Sequence, residues 1–222
     1  MRVVLTGATG MVGSGVLHEC LRDPKIEAVL AIGRRCVNLE HAKLAQLVVP
    51  DLFDLEAHGD ALAGFDACFY CLGVSSAGMS EADYRRVTYD LTVAIVNALS
   101  RHNPELVVCY VSGQGTDSTG AGRWMWARVK GEVENWLFAR DSPAFAFRPG
   151  LIEPLRGHRP RTFSLRLVVG ALRLVLPLAR AHFPGLATSA VLIGRAMIRA
   201  VHEGYPRRIL EPRDINALAG SS

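Results

Sequence analysis

The chain has 222 residues, half of them hydrophobic, with five cysteines and a formal net charge of +4. That length is enough for one domain with a sizeable core, and an odd cysteine count fits reduced thiols rather than a disulfide framework. The most apolar stretch, residues 165–179, contains Arg166, Arg173 and Pro177, which excludes a membrane span there.

Residue 2 opens directly into a short apolar run, Val3-Val4-Leu5, with no secretory signal ahead of it, so a cytoplasmic protein is expected. The run reads as a buried strand. Thr6-Gly7-Ala8-Thr9-Gly10-Met11-Val12-Gly13 follows, with glycines spaced G-x-x-G-x-x-G, and then a helical pattern through Val16, Leu17, Cys20 and Leu21. Strand, glycine turn and helix together aim free backbone N–H groups and a helix N-terminus at a pyrophosphate. Gly7 allows the tight turn, Gly10 lets the backbone approach phosphate, and Gly13 lets the helix pack closely on the sheet.

Ala28 to Ile32 is a second buried strand, ending in Gly33-Arg34-Arg35. An acid expected about twenty residues beyond the last glycine would hold the 2′-hydroxyl of NAD. Two arginines stand there instead, and guanidinium pairs bidentately with phosphate, so NADP(H) is preferred over NAD(H). Two solvated surface arginines are the plain alternative.

A third strand is read at Leu47-Val48-Val49, ending at Asp51-Leu52, and a fourth from Ala67 to Leu72 with Gly73 after it. Cys68 and Cys71 lie in that fourth strand, where residues three apart point to opposite faces, so no metal is assigned to them. Glu81–Arg101 has helical periodicity, Leu106–Val111 reads as the fifth strand, Trp126–Arg140 as a helix, and Phe145–Phe147 as the sixth strand, closed by Arg148-Pro149-Gly150. Gly115–Gly122, rich in Gly, Ser and Thr, reads as a mobile loop. The alternation predicts an α/β, Rossmann-type doubly wound parallel sheet, whose ligands bind beyond the carboxyl ends of the strands.

Beyond Leu151 the alternation weakens. Two helices are read, at 165–179 and at Ser189–His202, with a short strand at Ile209-Leu210-Glu211, forming a small C-terminal helical lobe (151–222) within a single 1–222 dinucleotide-binding domain. This part holds eleven arginines, no lysine and four acids, a basic balance that suits an anionic ligand or surface as well as plain solvation. Arg166, Arg173 and Arg180 recur every seven residues and would form one cationic stripe on a helix.

TGATGMVG at the start, GRR after the second strand, DL after the third, VSG after the fifth, VKGEVE in the next helix and RPG after the sixth strand together resemble the atypical and extended short-chain dehydrogenase/reductases. The nearest branch is the small epimerase/dehydratase-like one related to the Tat-interacting oxidoreductase-like protein. The resemblance implies an NADP(H)-binding oxidoreductase or epimerase/dehydratase acting on an unknown small molecule. It implies catalytic roles for Lys130, Ser112 and Thr116. It also implies dinucleotide contacts from Gly7, Thr9, Gly10, Met11, Val12, Gly13, Arg34, Arg35, Asp51, Leu52, Cys71, Leu72, Gly73, Lys130, Pro149, Gly150 and Ile152. A homodimer is carried as a candidate assembly, and no nucleic-acid partner is expected.

The chain departs from the family at one position. The family places a tyrosine four residues before the lysine, where the phenol exchanges a proton with the substrate oxygen; here Trp126 stands there. An indole N–H is a donor only and replaces neither acid nor base. A non-catalytic NADP(H) sensor or scaffold is therefore the alternative reading.

Overall fold

The computed structural model describes residues 1–153 and 187–220. Its main sheet has seven parallel strands in the order β3-β2-β1-β4-β5-β6-β9. These are β1 (Arg2–Thr6), β2 (Ala28–Gly33), β3 (Leu44–Val48), β4 (Ala67–Tyr70), β5 (Val107–Val111), β6 (Ala144–Phe147) and β9 (Ile209–Leu210). The strand order reverses between β1 and β4, which opens a crevice at their carboxyl ends.

One face of the sheet packs on α1 (Met11–Arg22), α5 (Ala190–Glu203) and α6 (Pro212–Leu218), burying Leu5, Val16, Phe69, Ile193 and Met197. Helices α1 and α5 approach so closely that a Cβ on Gly15 would lie 2.4 Å from Ala190 Cβ. The other face packs on the 3-10 segment Leu52–Leu62, on α3 (Leu91–His102) and on α4 (Met125–Phe138), burying Val4, Tyr70, Leu99, Tyr110 and Leu137. Cys68 joins this second core while Cys71 packs against the first, so the two thiols do lie on opposite faces.

Most expected elements form within a few residues of their predicted bounds. The third strand is the exception: it runs over Leu44–Val48 rather than 47–49. It is the sheet edge, half-exposed along its length, so its first half needs no apolar run and gives no sequence signal. The helix read over Glu81–Arg101 forms as α2 (Glu81–Arg85), a π-helical turn (Arg86–Asp90) and α3, with the Ser80 hydroxyl accepting from Asp83 N–H at its start. Two short parallel strands, β7 (Leu151–Glu153) and β8 (Ala187–Ser189), were not foreseen. The helix expected at 165–179 and the arginine stripe 166–180 lie outside the described residues.

Candidate functional site

The glycine turn connects β1 to α1. Gly7 has φ +73°, and a Cβ there would lie 2.5 Å from the carbonyl oxygen of Cys71. Gly10 N–H donates to Gly7 C=O at 2.9 Å and closes the turn. Gly10 then caps α1 without a side chain, and the first N–H to donate into the helix is that of Ser14, to Gly10 C=O at 2.9 Å. The N–H groups of Met11, Val12 and Gly13 are left at the positive end of the helix dipole with no acceptor among the described residues. Gly13 was expected to serve helix–sheet packing. The contact that excludes a side chain there is instead the turn itself, since a Cβ would fall 2.1 Å from Gly7 C=O. Thr9 and Met11 are exposed around this cradle.

On the β2 flank, Arg34 and Arg35 are both exposed, and neither forms a hydrogen bond or ion pair among the described residues. Asp51 follows β3, where its carboxylate accepts from Phe53 N–H at 3.0 Å and starts the 3-10 segment, while Leu52 is buried in the core. On the other flank of β1, Cys71 N–H donates to Thr6 C=O at 3.2 Å, carrying Cys71, Leu72 and Gly73 past the glycine turn.

The end of β5 collects the remaining candidates. Ser112 N–H donates to Phe147 C=O at 2.8 Å, and Gln114 N–H to Pro149 C=O at 3.0 Å, so the loops after β5 and β6 travel together. Ser112 Oγ and Thr116 Oγ1 are 2.8 Å apart, and Thr116 Oγ1 donates to Gly113 C=O at 2.8 Å. With the threonine proton committed to that carbonyl, Ser112 is the donor to Thr116 and keeps its lone pairs for a ligand. Lys130 Nζ donates to Val111 C=O at 3.2 Å and to Ser112 C=O at 3.4 Å, and lies 5.2 Å over the Tyr110 ring. Burial lowers its pKa to about 8 against an opposing pull from the Glu134 carboxylate.

Trp126 stands beside this cluster. A methyl group on Gly113 or Gly115 would touch its ring carbons at 3.7 Å. No phenol substitutes for the missing tyrosine. Tyr84 and Tyr110 are buried, and desolvation raises their pKa values; Tyr89 is half-buried under the Arg85 guanidinium at 4.2 Å. Pro149 is buried and Gly150 half-buried beside Gln114, and Ile152 pairs with Thr188 across β7 and β8.

Sequence reasoning missed the group that holds this end together. Glu134 of α4 is fully buried, and Arg148 Nε donates to its Oε1 at 2.9 Å while Nη2 donates to its Oε2. Ser118 Oγ bridges the two, accepting from Arg148 Nη2 at 2.8 Å and donating to Glu134 Oε2 at 3.1 Å. The signal was present: Ala127, Gly131 and Glu134 share one helix face with two small residues, the face that receives the 117–118 backbone. Gly131 is obligatory there, since a Cβ would sit 1.9 Å from Asp117 C=O. The segment 115–122, expected to be mobile from its composition, is closely hydrogen-bonded instead. The Asp117 carboxylate accepts from Thr119 N–H at 3.0 Å, from Thr119 Oγ1 at 2.6 Å and from Gly122 N–H at 2.5 Å, and Asn135 Nδ2 donates to Ser118 C=O at 2.8 Å.

Residues 3–119 match the profile of the NAD dependent epimerase/dehydratase family. The chain belongs to that family. It is 31% identical over 212 residues to the protein fmp52, mitochondrial, of Aspergillus fumigatus, covering 89% of this chain and 86% of the relative. It is 29% identical over 204 residues to the protein HTATIP2 of Rattus norvegicus, covering 88% and 79%. Among solved structures, a short chain dehydrogenase/reductase from Saccharomyces cerevisiae superposes with TM-score 0.70 at 13% identity over 98% of both chains. MoeE5 in complex with UDP-glucose and NAD superposes with TM-score 0.66 at 20% identity over 99% of this chain and 81% of that one. The family assignment makes this an NAD(P)-binding, oxidoreductase-like chain, and the glycine turn is in keeping with it. It corrects one expectation: the fungal relatives are named mitochondrial proteins, which overturns the cytoplasmic reading made from the N-terminal residues. Among the described residues, no helix is long and apolar enough to cross a membrane.

Proposed function

We propose that this chain is an NADP(H)-dependent oxidoreductase acting on a small molecule, with residues 151–222 forming the substrate side of one dinucleotide-binding domain. The observation that carries the reading is the pair Arg34 and Arg35, exposed at the end of β2, free of ion pairs among the described residues, and standing where an NAD-selective chain needs an acid. The cradle fits a dinucleotide: side chains are excluded at Gly7 and Gly13, and three N–H groups of α1 point out of it. Met11, Val12 and Gly13 N–H would hold the pyrophosphate, and Arg34 and Arg35 the 2′-phosphate. Cys71, Leu72 and Gly73 would flank the nicotinamide half.

When bound, the cofactor supplies or accepts a hydride. The chain's own residues orient and polarise. The lone pairs of Ser112, fixed by Thr116, accept a hydrogen bond from a substrate hydroxyl, and Lys130 keeps one N–H beyond the two it gives to the Val111 and Ser112 carbonyls. Trp126 at the place of the phenol favours a second reading, a dinucleotide-binding sensor without turnover.

Fluorescence titration with NADPH and NADH separates the cofactors. Tight NADPH and weak NADH are expected. Arg34→Ala combined with Arg35→Ala should weaken NADPH by about a hundredfold, two phosphate contacts at about 1.5 kcal/mol each, and leave NADH unchanged. An equal loss for both nucleotides would discard the 2′-phosphate clamp.

A further inference from the structure

The segments that follow β4, β5 and β6 line one side of the crevice, and their charged groups are engaged with one another. Arg128 Nη2 donates to Glu81 Oε2 at 2.6 Å, joining the start of α4 to the end of the segment after β4. Arg85 Nη1 donates to Glu132 Oε2 at 2.8 Å along the same seam. Arg148, just after β6, is taken by Glu134, and the Asp117 carboxylate closes its own turn after β5. Residues 71–80 include no charged side chain at all.

What this rim shows to solvent is apolar. Among the described residues six large hydrophobic side chains are exposed, and four of them stand around the crevice. These are Met11 at the glycine turn, Val74 after β4, Trp124 at the start of α4 and Leu151 after β6, with Trp124 64% exposed. The other two, Leu39 and Val48, lie at the sheet edge, on β3 and the segment before it. Single exposed hydrophobic residues need no explanation, but their concentration around one concave site marks a ligand surface. Trp126 connects this surface to the reacting end. Its indole is half-buried, with its six-membered ring along the backbone of Gly113 and Gly115, one residue from Ser112.

We propose that the crevice takes a neutral alcohol with an aromatic or alkyl body, and that Trp126 selects it by presenting an indole where the family places a phenol. The inference rests on the dinucleotide reading, which makes this crevice a reaction site, and names the substrate class for it. The body packs on Trp126, Trp124, Val74 and Leu151, while the hydroxyl reaches Ser112. A phosphate-bearing substrate such as a nucleotide sugar needs unengaged cations. Here Arg85, Arg128 and Arg148 are paired, Lys130 Nζ is held by the Val111 and Ser112 carbonyls, and the Arg123 guanidinium lies 5.7 Å from the centre of the Trp124 ring.

The test is calorimetric titration of the NADPH-loaded protein with naphthylmethanol, decanol and UDP-glucose. An alcohol beside the reduced cofactor has no hydride acceptor, so binding is read without turnover. Naphthylmethanol and decanol should bind, and UDP-glucose at least about tenfold more weakly. Trp126→Ala should weaken naphthylmethanol about tenfold and leave NADPH binding unchanged, whereas Trp126→Phe, which keeps an aromatic face, should retain most of the affinity. That rescue separates a ring that contacts substrate from one that only fills space. UDP-glucose binding as tightly as the apolar alcohols, or naphthylmethanol binding unchanged in Trp126→Ala, overturns the proposal. NADPH binding without either apolar alcohol also overturns it and leaves the dinucleotide reading standing. Failure of NADPH to bind, with Trp126-dependent naphthylmethanol binding intact, discards the dinucleotide reading alone.

Discussion

Arg148 is the most informative residue to remove. Its side chain is 13% exposed and its partner Glu134 is fully buried. In Arg148→Met, Glu134 keeps only the Ser118 hydroxyl as a donor among the contacts described above. A carboxylate left inside without its cation costs about 3–5 kcal/mol. At about 2–4 °C per kcal/mol for a chain of this size, the melting temperature should fall by on the order of 10 °C. The double variant Arg148→Met with Glu134→Leu removes both charges and replaces them with apolar volume, so it should recover most of that loss. Urea denaturation of the unaltered protein, both single variants and the double variant closes the cycle, provided the slopes match. If Arg148→Met costs under about 1 kcal/mol, or the double variant is as unstable as the single ones, the pair does not organise the loops after β5 and β6.

Two further outcomes follow from the same geometry. Gly13→Ala places a methyl 2.1 Å from a backbone oxygen that no rotamer change can move. It should destabilise by about 1–3 kcal/mol in urea melts and abolish NADPH binding in the fluorescence titration, and an alanine variant that binds normally would show the turn to be incidental. Lys130 is protonated in the unfolded chain up to about pH 10.5 but in the folded chain only up to about 8. Folding is therefore penalised in full below pH 8, and the penalty fades as pH rises toward 10.5. Lys130→Met should be more stable than the unaltered protein at pH 7, by up to about 3 kcal/mol, with the advantage shrinking across that window; a pH-independent difference would refute the assignment.

The glycine turn was legible in the sequence because its constraints are local: a positive φ at Gly7 and the contact of Gly13 with Gly7 involve residues within one strand–turn–helix unit. The same holds for the strands, whose apolar runs are dictated by burial on both faces of a parallel sheet, and for the position of Arg34 and Arg35 just after β2. Only the first half of the half-exposed edge strand escaped, because its interior neighbour, β2, alone demands it.

Other features belong to tertiary structure alone. Asp117, a loop acid in the sequence, ties down a segment whose composition reads as mobile, because Gly131 of α4 lets its carbonyl approach. Glu134 and Arg148 are unremarkable charges fourteen residues apart until β6 pairs with β5 and lays the arginine across α4. Lys130 could be matched to a motif, but its lowered pKa follows from burial over Tyr110, which outweighs the opposing pull of the Glu134 carboxylate. A charge state depends on what surrounds a group in space, and those surroundings come from β4, β5, α4 and the loop after β6, which meet only in the folded chain.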